Sequence, residues 1–416
     1  MRRIRLVGLG RKVFILEIRG SNPLCGTNSE LTFGVFLFHN QMSGIYLHFP
    51  FCTKKCIYCN FYSTTCLSQK EAFIKALQKE ITQSADYLSN VSIHTLYFGG
   101  GTPSLLTIKD ISIILETLKL HYCFDKNLEF TFEANPETLT LDYLKSLHEL
   151  GVNRISIGIQ SFHDSILHFL NRRHNGEEAK KAINNALNAG FENISIDLIY
   201  GISERTGSMW LSDLETAFSY PITHLSAYAL SIEENTLLQT KIKRGILTQP
   251  REEQFIEDYY LLLEESRKAG FEQYEISNFA KNKRISRHNY AYWEGKPYLG
   301  LGPSAHSYNL ETRRWNVANL STYIQQIQTG VCHYETEILS ETDHFNEYIL
   351  LHLRTAEGID MNEIRTHFGN EKELYVRNYF STTEPSFYII NQNSFQLTHT
   401  GKLWADQIAM DLFILQ

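Results

Sequence analysis

Short apolar runs recur along this chain, each followed by a longer stretch whose apolar positions fall three and four residues apart. GIYLHF at 44–49, HTLYFGGG at 94–101 and LEFTFEANP at 128–136 predict strands, the last ending at Pro136. RISIGIQS at 154–161, ISIDLIYG at 194–201 and HLSAYAL at 224–230 predict three more. Between them, residues 68–88 place Phe73, Ile74, Leu77 and Ile81 at helical spacing, and 108–122, 140–151, 177–190 and 208–219 also read as helices. Six β–α units in a row predict an α/β fold with a parallel sheet covered by helices, as a closed or partial TIM-like barrel. An open doubly wound sheet is the alternative. Gly99–Gly101, Glu133, Gln160 and Asp197 fall at or near the C-terminal ends of four different strands. In a β/α barrel those ends meet at one mouth, where sites form, and a buried strand has little other use for a charge.

From about residue 330 the rhythm changes. Residues 343–355 predict a helix, 387–401 a hairpin turning at NQNS, and 402–413 a closing helix. Helices around a small hairpin predict a winged-helix-like module, a shape that serves DNA or protein contacts. The expected organisation is a leader at 1–41, a barrel at 42–280, a linking segment at 281–330 and a C-terminal domain at 331–416. In the leader, Arg2, Arg3, Arg5, Arg11, Lys12 and Arg19 face only Glu17 and Glu30. No continuous apolar stretch or small-residue cleavage site marks a secretory signal there, and an Arg-rich transit peptide would carry more Ser. MSGIYLHFPFC opens directly on a strand, so translation is expected to start at Met42, with the leader otherwise disordered.

A net charge of −7 argues against nucleic acid as the partner of the whole chain. No apolar run reaches the roughly 18 residues of a membrane span, so no membrane contact beyond a weak association is expected. Seven cysteines, four of them within 52–66, fit a reduced cytoplasmic protein with a metal site better than a disulfide framework. CTKKCIYC spaces Cys52, Cys56 and Cys59 by four and then three positions. A structural zinc site is closed by four ligands, and His48 or Cys66 would have to complete it. An iron–sulfur cluster on three thiolates keeps one iron open to a substrate or cofactor. Aromatic neighbours in FPFC, IYC and FY would limit water around such a cluster. Cys66, Cys123 and Cys332 are expected to be small buried apolar residues.

Cys-x3-Cys-x2-Cys after the first strand of a β/α barrel resembles the radical S-adenosylmethionine (SAM) superfamily. IYLHFPFC, YFGGGTPS, FEANPE, NRISIGIQSF, SIDLIYGI and YEISNFA together resemble the oxygen-independent coproporphyrinogen III oxidase (HemN) family and its HemW haem-chaperone branch. The resemblance covers nearly everything from residue 44 onward and implies an incomplete radical SAM barrel with a smaller C-terminal domain. It implies a [4Fe–4S] cluster on Cys52, Cys56 and Cys59, with SAM on the unique iron. By the same resemblance Tyr46 and Tyr58 flank SAM, Gly99, Gly100, Gly101 and Thr102 let the chain approach it, and Glu133 receives its ribose. Gln160, Arg172 and Asp197 match positions that bind SAM-related groups deeper in the barrel.

Three features favour the chaperone branch. Phe61 stands where the oxidases carry a further cysteine. No cavity-shaping segment is recognisable before the cluster. RHNYAYW supplies His288, Asn289, Tyr292 and Trp293, which match the HNxxYW signature associated with haem. Histidine is a common axial ligand, and Tyr and Trp can stack on a porphyrin; the same residues would also serve as an ordinary aromatic core. The implied function is binding haem and delivering it to an acceptor protein, with an electron donor for the cluster. The alternative is oxidative decarboxylation of coproporphyrinogen III. GISERTGSMW (201–210) departs from the family's turn, with Ser203 in the place of a proline.

Overall fold

Seven parallel strands position everything else. In the computed structural model, which describes residues 42–88 and 91–415, the strands β1 (Ser43–Phe49), β2 (Ile93–Gly100), β3 (Phe124–Ala134), β4 (Arg154–Gln160), β5 (Ile194–Tyr200) and β6 (His224–Ala229) pair in chain order. The helices between them are α1 (Lys70–Gln83), α2 (Ile108–His121), α3 (Leu141–Glu149), α4 (Asp164–Phe169), α5 (Gly176–Asn188) and α6 (Gly207–Phe218). Beyond β6 come α7 (Leu237–Lys243) and α8 (Glu252–Lys268), then β7 (Glu272–Glu275) and β8 (Asn278–Ala280), which extend one edge antiparallel. The other edge is built after α9 (Arg287–Trp293): β9 (Tyr298–Leu301) pairs parallel with β1, and β10 (His306–Tyr308), β11 (Thr312–Asn316) and β12 (Tyr334–Ile338) follow antiparallel. Among the described residues the sheet runs from β12 to β7 without closing, so the barrel is incomplete.

The alternation along each strand explains the curvature. Ile45, Leu47 and Phe49 of β1 face the helices, where Phe49 packs edge-on against Phe73 of α1 at 5.8 Å. Phe130 and Phe132 of β3, and Ile155, Ile157 and Ile159 of β4, take the same side. The alternate positions point inward and are polar, and a buried polar group needs a partner. They find one another: Ser156 Oγ donates to Asp197 Oδ1 at 3.2 Å, Ser195 Oγ meets His224 Nδ1 at 2.7 Å, and His224 Nε2 meets Tyr274 Oη at 2.7 Å.

Residues 281–330, expected as a linking segment, hold α9, three strands of the main sheet and α10 (Leu320–Thr329). Polar residues interrupt these short strands, and their pairing is set by distant partners, so local periodicity does not disclose them. They are fastened by Glu80 of α1, a buried carboxylate that accepts from the Gly302 amide at 2.8 Å, Asn316 Nδ2 at 2.6 Å and Tyr323 Oη at 2.5 Å. The C-terminal part has α11 (Glu341–His352), β13 (Ile359–Asp360), α12 (Met361–Thr382), β14 (Tyr388–Asn391), β15 (Ser394–Leu397), α13 (His399–Lys402) and α14 (Ala405–Leu412). The expected hairpin is β14–β15, joined by β13 in a three-stranded sheet. α12 is kinked at Gly369, whose φ is 87°, which breaks the helical pattern in the sequence. No described helix is long and apolar enough to cross a membrane. The leader at 1–41 lies outside the described residues.

One buried ion pair braces the barrel mouth. Asp213 of α6 accepts from Ser161 Oγ at 2.8 Å and the Phe162 amide at 2.6 Å, and pairs with Arg205 at 3.0 Å, all just beyond β4. Asp213→Ala would strand a buried guanidinium and two donors. It is expected to cost about 3–5 kcal/mol in urea unfolding, with Asp213→Asn costing less. A loss within about 0.5 kcal/mol, the range of an ordinary surface substitution, would contradict this.

Candidate functional site

The chain leaves β1 through Pro50 and Phe51 and enters a loop tied at its neck. The Cys52 amide donates to Thr64 O at 2.9 Å, and the Thr64 amide to Pro50 O at 2.7 Å. Farther out, the Ile57 amide donates to Leu170 O at 3.3 Å, Asn171 Nδ2 to Lys55 O at 2.8 Å, and the Cys59 amide closes a turn on Cys56 O at 3.3 Å. Cys52, Cys56 and Cys59 therefore share one wall of a cavity of about 1040 Å³, counted to its open mouth. The opposite wall comes from the C-terminal ends of β2 to β6: Gly100 to Thr102, Glu133, Asn135, Gln160, Asp197 and Tyr228. This is the mouth that the strand-end polar residues pointed to.

The three thiols are free and half-buried. Burial pushes the Cys59 thiol up to about 11 and raises that of Cys52 as well. The protein alone therefore disfavours the thiolates of Cys52 and Cys59, and a positively charged metal centre would supply what is missing. Two donors already face the sulfurs: Thr102 Oγ1 lies 3.5 Å from Cys52 Sγ, and Arg172 Nη1 lies 3.5 Å from Cys56 Sγ. Among the described residues no three His, Cys, Asp or Glu groups stand close enough to share one metal ion. Neither proposed fourth zinc ligand is at hand. His48 is bonded through Nδ1 to Tyr46 Oη at 3.0 Å and through Nε2 to Tyr62 O at 2.9 Å. Cys66 is exposed and meets Ser68 Oγ at 3.1 Å. Cys123 is exposed and Cys332 half-buried, which corrects the expectation that all three outlying cysteines are buried; Cys66 and Cys123 sit where the chain turns at the sheet ends, outside the core.

The glycines serve the chain's own packing. Gly100 has φ 107°, and a Cβ there would come within 2.7 Å of the His48 ring. At Gly101 a Cβ would meet Phe51 O at 2.6 Å, because the amides of Gly101 and Thr102 pair with Phe49 O and Phe51 O. The triplet thus lets β2 lie directly against the root of the cysteine loop. Glu133 accepts from Tyr97 Oη at 2.7 Å and the Gly100 amide at 3.2 Å, which fixes its carboxylate at the cavity wall. Gln160 is buried with φ 71°, at a register shift between β4 and β5. Such a conformation costs about 1–3 kcal/mol in a non-glycine residue and concentrates at functional sites. Arg172 Nη2 donates to Gly158 O at 2.5 Å and Asn135 Oδ1 at 2.8 Å. Tyr58 lines the cavity; Tyr46 does not, lying 6.0 Å from Tyr97 ring to ring.

The HNxxYW residues lie elsewhere. His288, on α9, is buried at the opposite end of the strands, beside Gly44 and Thr95. Its Nδ1 meets Thr95 Oγ1 at 2.8 Å, its Nε2 meets Tyr292 Oη at 2.9 Å, and its amide donates to Glu129 Oε1 at 3.0 Å. The ring stacks on Tyr97 at 4.9 Å, and burial, with Arg154 nearby, pushes its pKa down to about 3. Asn289 and Trp293 are half-buried on the same helix, with the Arg354 guanidinium 5.9 Å from the Trp293 ring. None of these four residues lines the cysteine cavity.

Sequence reasoning missed Asn135 and Tyr97 as site residues. Asn135 lies two positions past Glu133, and Tyr97 two before Gly99. The period of two along a strand puts each on the same face as its marked neighbour, so the signal was available.

Three cysteines and a glycine strip at the mouth of an open β/α barrel define a radical SAM protein, and the Radical SAM superfamily model matches residues 46–217. Heme chaperone HemW of Bacillus subtilis is 32% identical over 371 residues, covering 88% of this chain and 98% of the relative. HemW of Mycobacterium tuberculosis is 33% identical over 77% of this chain and 84% of the relative. The bovine mitochondrial radical S-adenosyl methionine domain-containing protein 1 is 31% identical over 90% of this chain and 87% of its own length. This chain belongs to the HemW haem-chaperone family. The solved structure of HemN, the coproporphyrinogen III oxidase of Escherichia coli, superposes with a TM-score of 0.78 over 90% of both chains at 24% identity, which establishes the shared fold.

Proposed function

We propose that this chain holds a [4Fe–4S] cluster on Cys52, Cys56 and Cys59, takes SAM beside it, binds haem and passes haem to an acceptor protein in the cytoplasm. When bound, the cluster supplies an electron and an iron site free of protein ligands. The chain's own part is to expose that site to a cavity lined by Gly100, Gly101, Glu133, Gln160 and Asp197, and to keep bulk water from it. Tyr58 and Phe61 contribute to the apolar part of the wall, with Ile199 and Leu230. An electron donor is required to reduce the cluster, and its docking face would lie near the exposed Lys54 and Lys55 at the cavity rim.

The observation that carries the chaperone reading is the similarity over 98% of the length of a named haem chaperone. Phe61 agrees with it. It lines the cavity two residues past Cys59, where the oxidases carry a further cysteine. The test is anaerobic reconstitution followed by two assays on one sample. Haem titration is expected to give a saturable Soret band at one haem per chain. Coproporphyrinogen III is expected to remain unconverted with reductant and SAM present. Formation of protoporphyrinogen IX would instead restore the oxidase reading and make Gln160, Arg172 and Asp197 parts of a catalytic second cofactor site.

A further inference from the structure

Asn135 stands behind two of the three cluster cysteines at once. Its Oδ1 accepts from Arg172 Nη2 at 2.8 Å, and its Nδ2 donates to Thr102 Oγ1 at 3.2 Å. The orientation of the amide is forced. A guanidinium can only donate, so the oxygen must face Arg172 and the nitrogen must face Thr102. Because Nδ2 occupies a lone pair of the Thr102 hydroxyl, the hydroxyl proton is free to point at Cys52 Sγ, 3.5 Å away. On the other side, Asn135 and Gly158 O hold Nη2, leaving Nη1 aimed at Cys56 Sγ, also 3.5 Å away. The residue's backbone is itself anchored: the Asn135 main-chain N–H donates to Ser104 Oγ at 3.3 Å, and its main-chain carbonyl accepts from the Thr138 amide at 3.1 Å.

We propose that Asn135 is a positioning residue that aims one O–H donor at the Cys52 sulfur and one N–H donor at the Cys56 sulfur, and so raises the reduction potential of the cluster. This rests on the cluster reading above. Hydrogen bonds to a thiolate withdraw electron density from it and stabilise the more negative, reduced cluster over the oxidised one. The hydroxyl and the guanidinium contribute on separate sulfurs, so their effects add through one amide. Both donors already face the sulfurs in the chain alone, so the device acts on the cluster without a bound substrate.

The experiment is a redox titration of the anaerobically reconstituted full chain, followed by the EPR signal of the reduced cluster, with the iron content of each sample measured first. Asn135→Ala is expected to shift the potential in the negative direction. The shift should correspond to about a tenfold loss in the reduction equilibrium, or 59 mV for one electron. Thr102→Val removes the O–H donor alone and keeps the side-chain shape; it is expected to give a smaller shift of the same sign. Asn135→Asp keeps an acceptor for Arg172 but draws the Thr102 proton away from sulfur and adds negative charge, so its potential should also fall. Full cluster content with unchanged potentials in Asn135→Ala and Thr102→Val would overturn the proposal. If Asn135→Ala holds no cluster, Thr102→Val decides alone. Absence of iron from the unaltered chain would instead overturn the cluster reading itself.

Discussion

Replacing any one of Cys52, Cys56 or Cys59 by Ala is expected to abolish the brown absorbance of the reconstituted protein, while Cys66→Ala leaves it unchanged. Each of the three sulfurs is on the cavity wall, and the loop that carries them is pinned at Thr64, Leu170 and Asn171. The loop cannot slide to offer another ligand. Cys66 lies beyond the neck, exposed and bonded to Ser68, and does not line the cavity. With only three protein ligands available, losing one leaves two corners of a cluster unheld, so the loss should be complete rather than partial. Iron and acid-labile sulfide analysis of the anaerobically purified variants checks this. Stoichiometric zinc without iron in the unaltered protein would refute the assignment.

The second large effect concerns His288. If its imidazole is the haem ligand, His288→Ala removes the haem Soret band and leaves the cluster intact. In this structure both ring nitrogens are engaged, by Thr95 and by Tyr292, and the ring is buried at the barrel end away from the cysteines. Haem ligation therefore requires the ring to give up a hydrogen bond and α9 to move. A binding-competent state that is rarely populated weakens the apparent affinity by its population. Tyr292→Phe frees Nε2, and with a net hydrogen bond worth about 1 kcal/mol, haem should bind roughly fivefold more tightly. Haem bound equally well by His288→Ala would move the ligand elsewhere. His306 is the first place to look, since its buried Nδ1 has no hydrogen-bond partner among the described residues.

Much of the barrel was legible because its signal is local. The six predicted strands match β1 to β6 and the five predicted helices match α1, α2, α3, α5 and α6, since strand and helix periods differ and those runs are long enough to show which applies; the six-residue α4 was too short to show. The cysteine spacing likewise points to an open three-ligand site, because the ligands lie within a single loop. The second half of the sheet was not legible. β7 to β12 are three to five residues long and owe their pairing to residues far away, such as Gly300 opposite Tyr46. Chain contacts of that kind leave no period in the sequence.

The sequence by itself determined the α/β class, the order of the parallel strands, the cysteine loop and the end of the barrel at which Glu133, Gln160 and Asp197 gather. Tertiary structure alone decided two things: that His288 closes the far end of the barrel instead of facing the cysteine cavity, and that Asn135 stands behind two sulfurs. The physical reason is the range of the interactions. Periodicity records which face of an element is buried, and it does so residue by residue along the chain. Which element covers that face, and which donor reaches which sulfur, depends on packing between residues far apart in the chain, 193 positions for Thr95 and His288 and 243 for Glu80 and Tyr323.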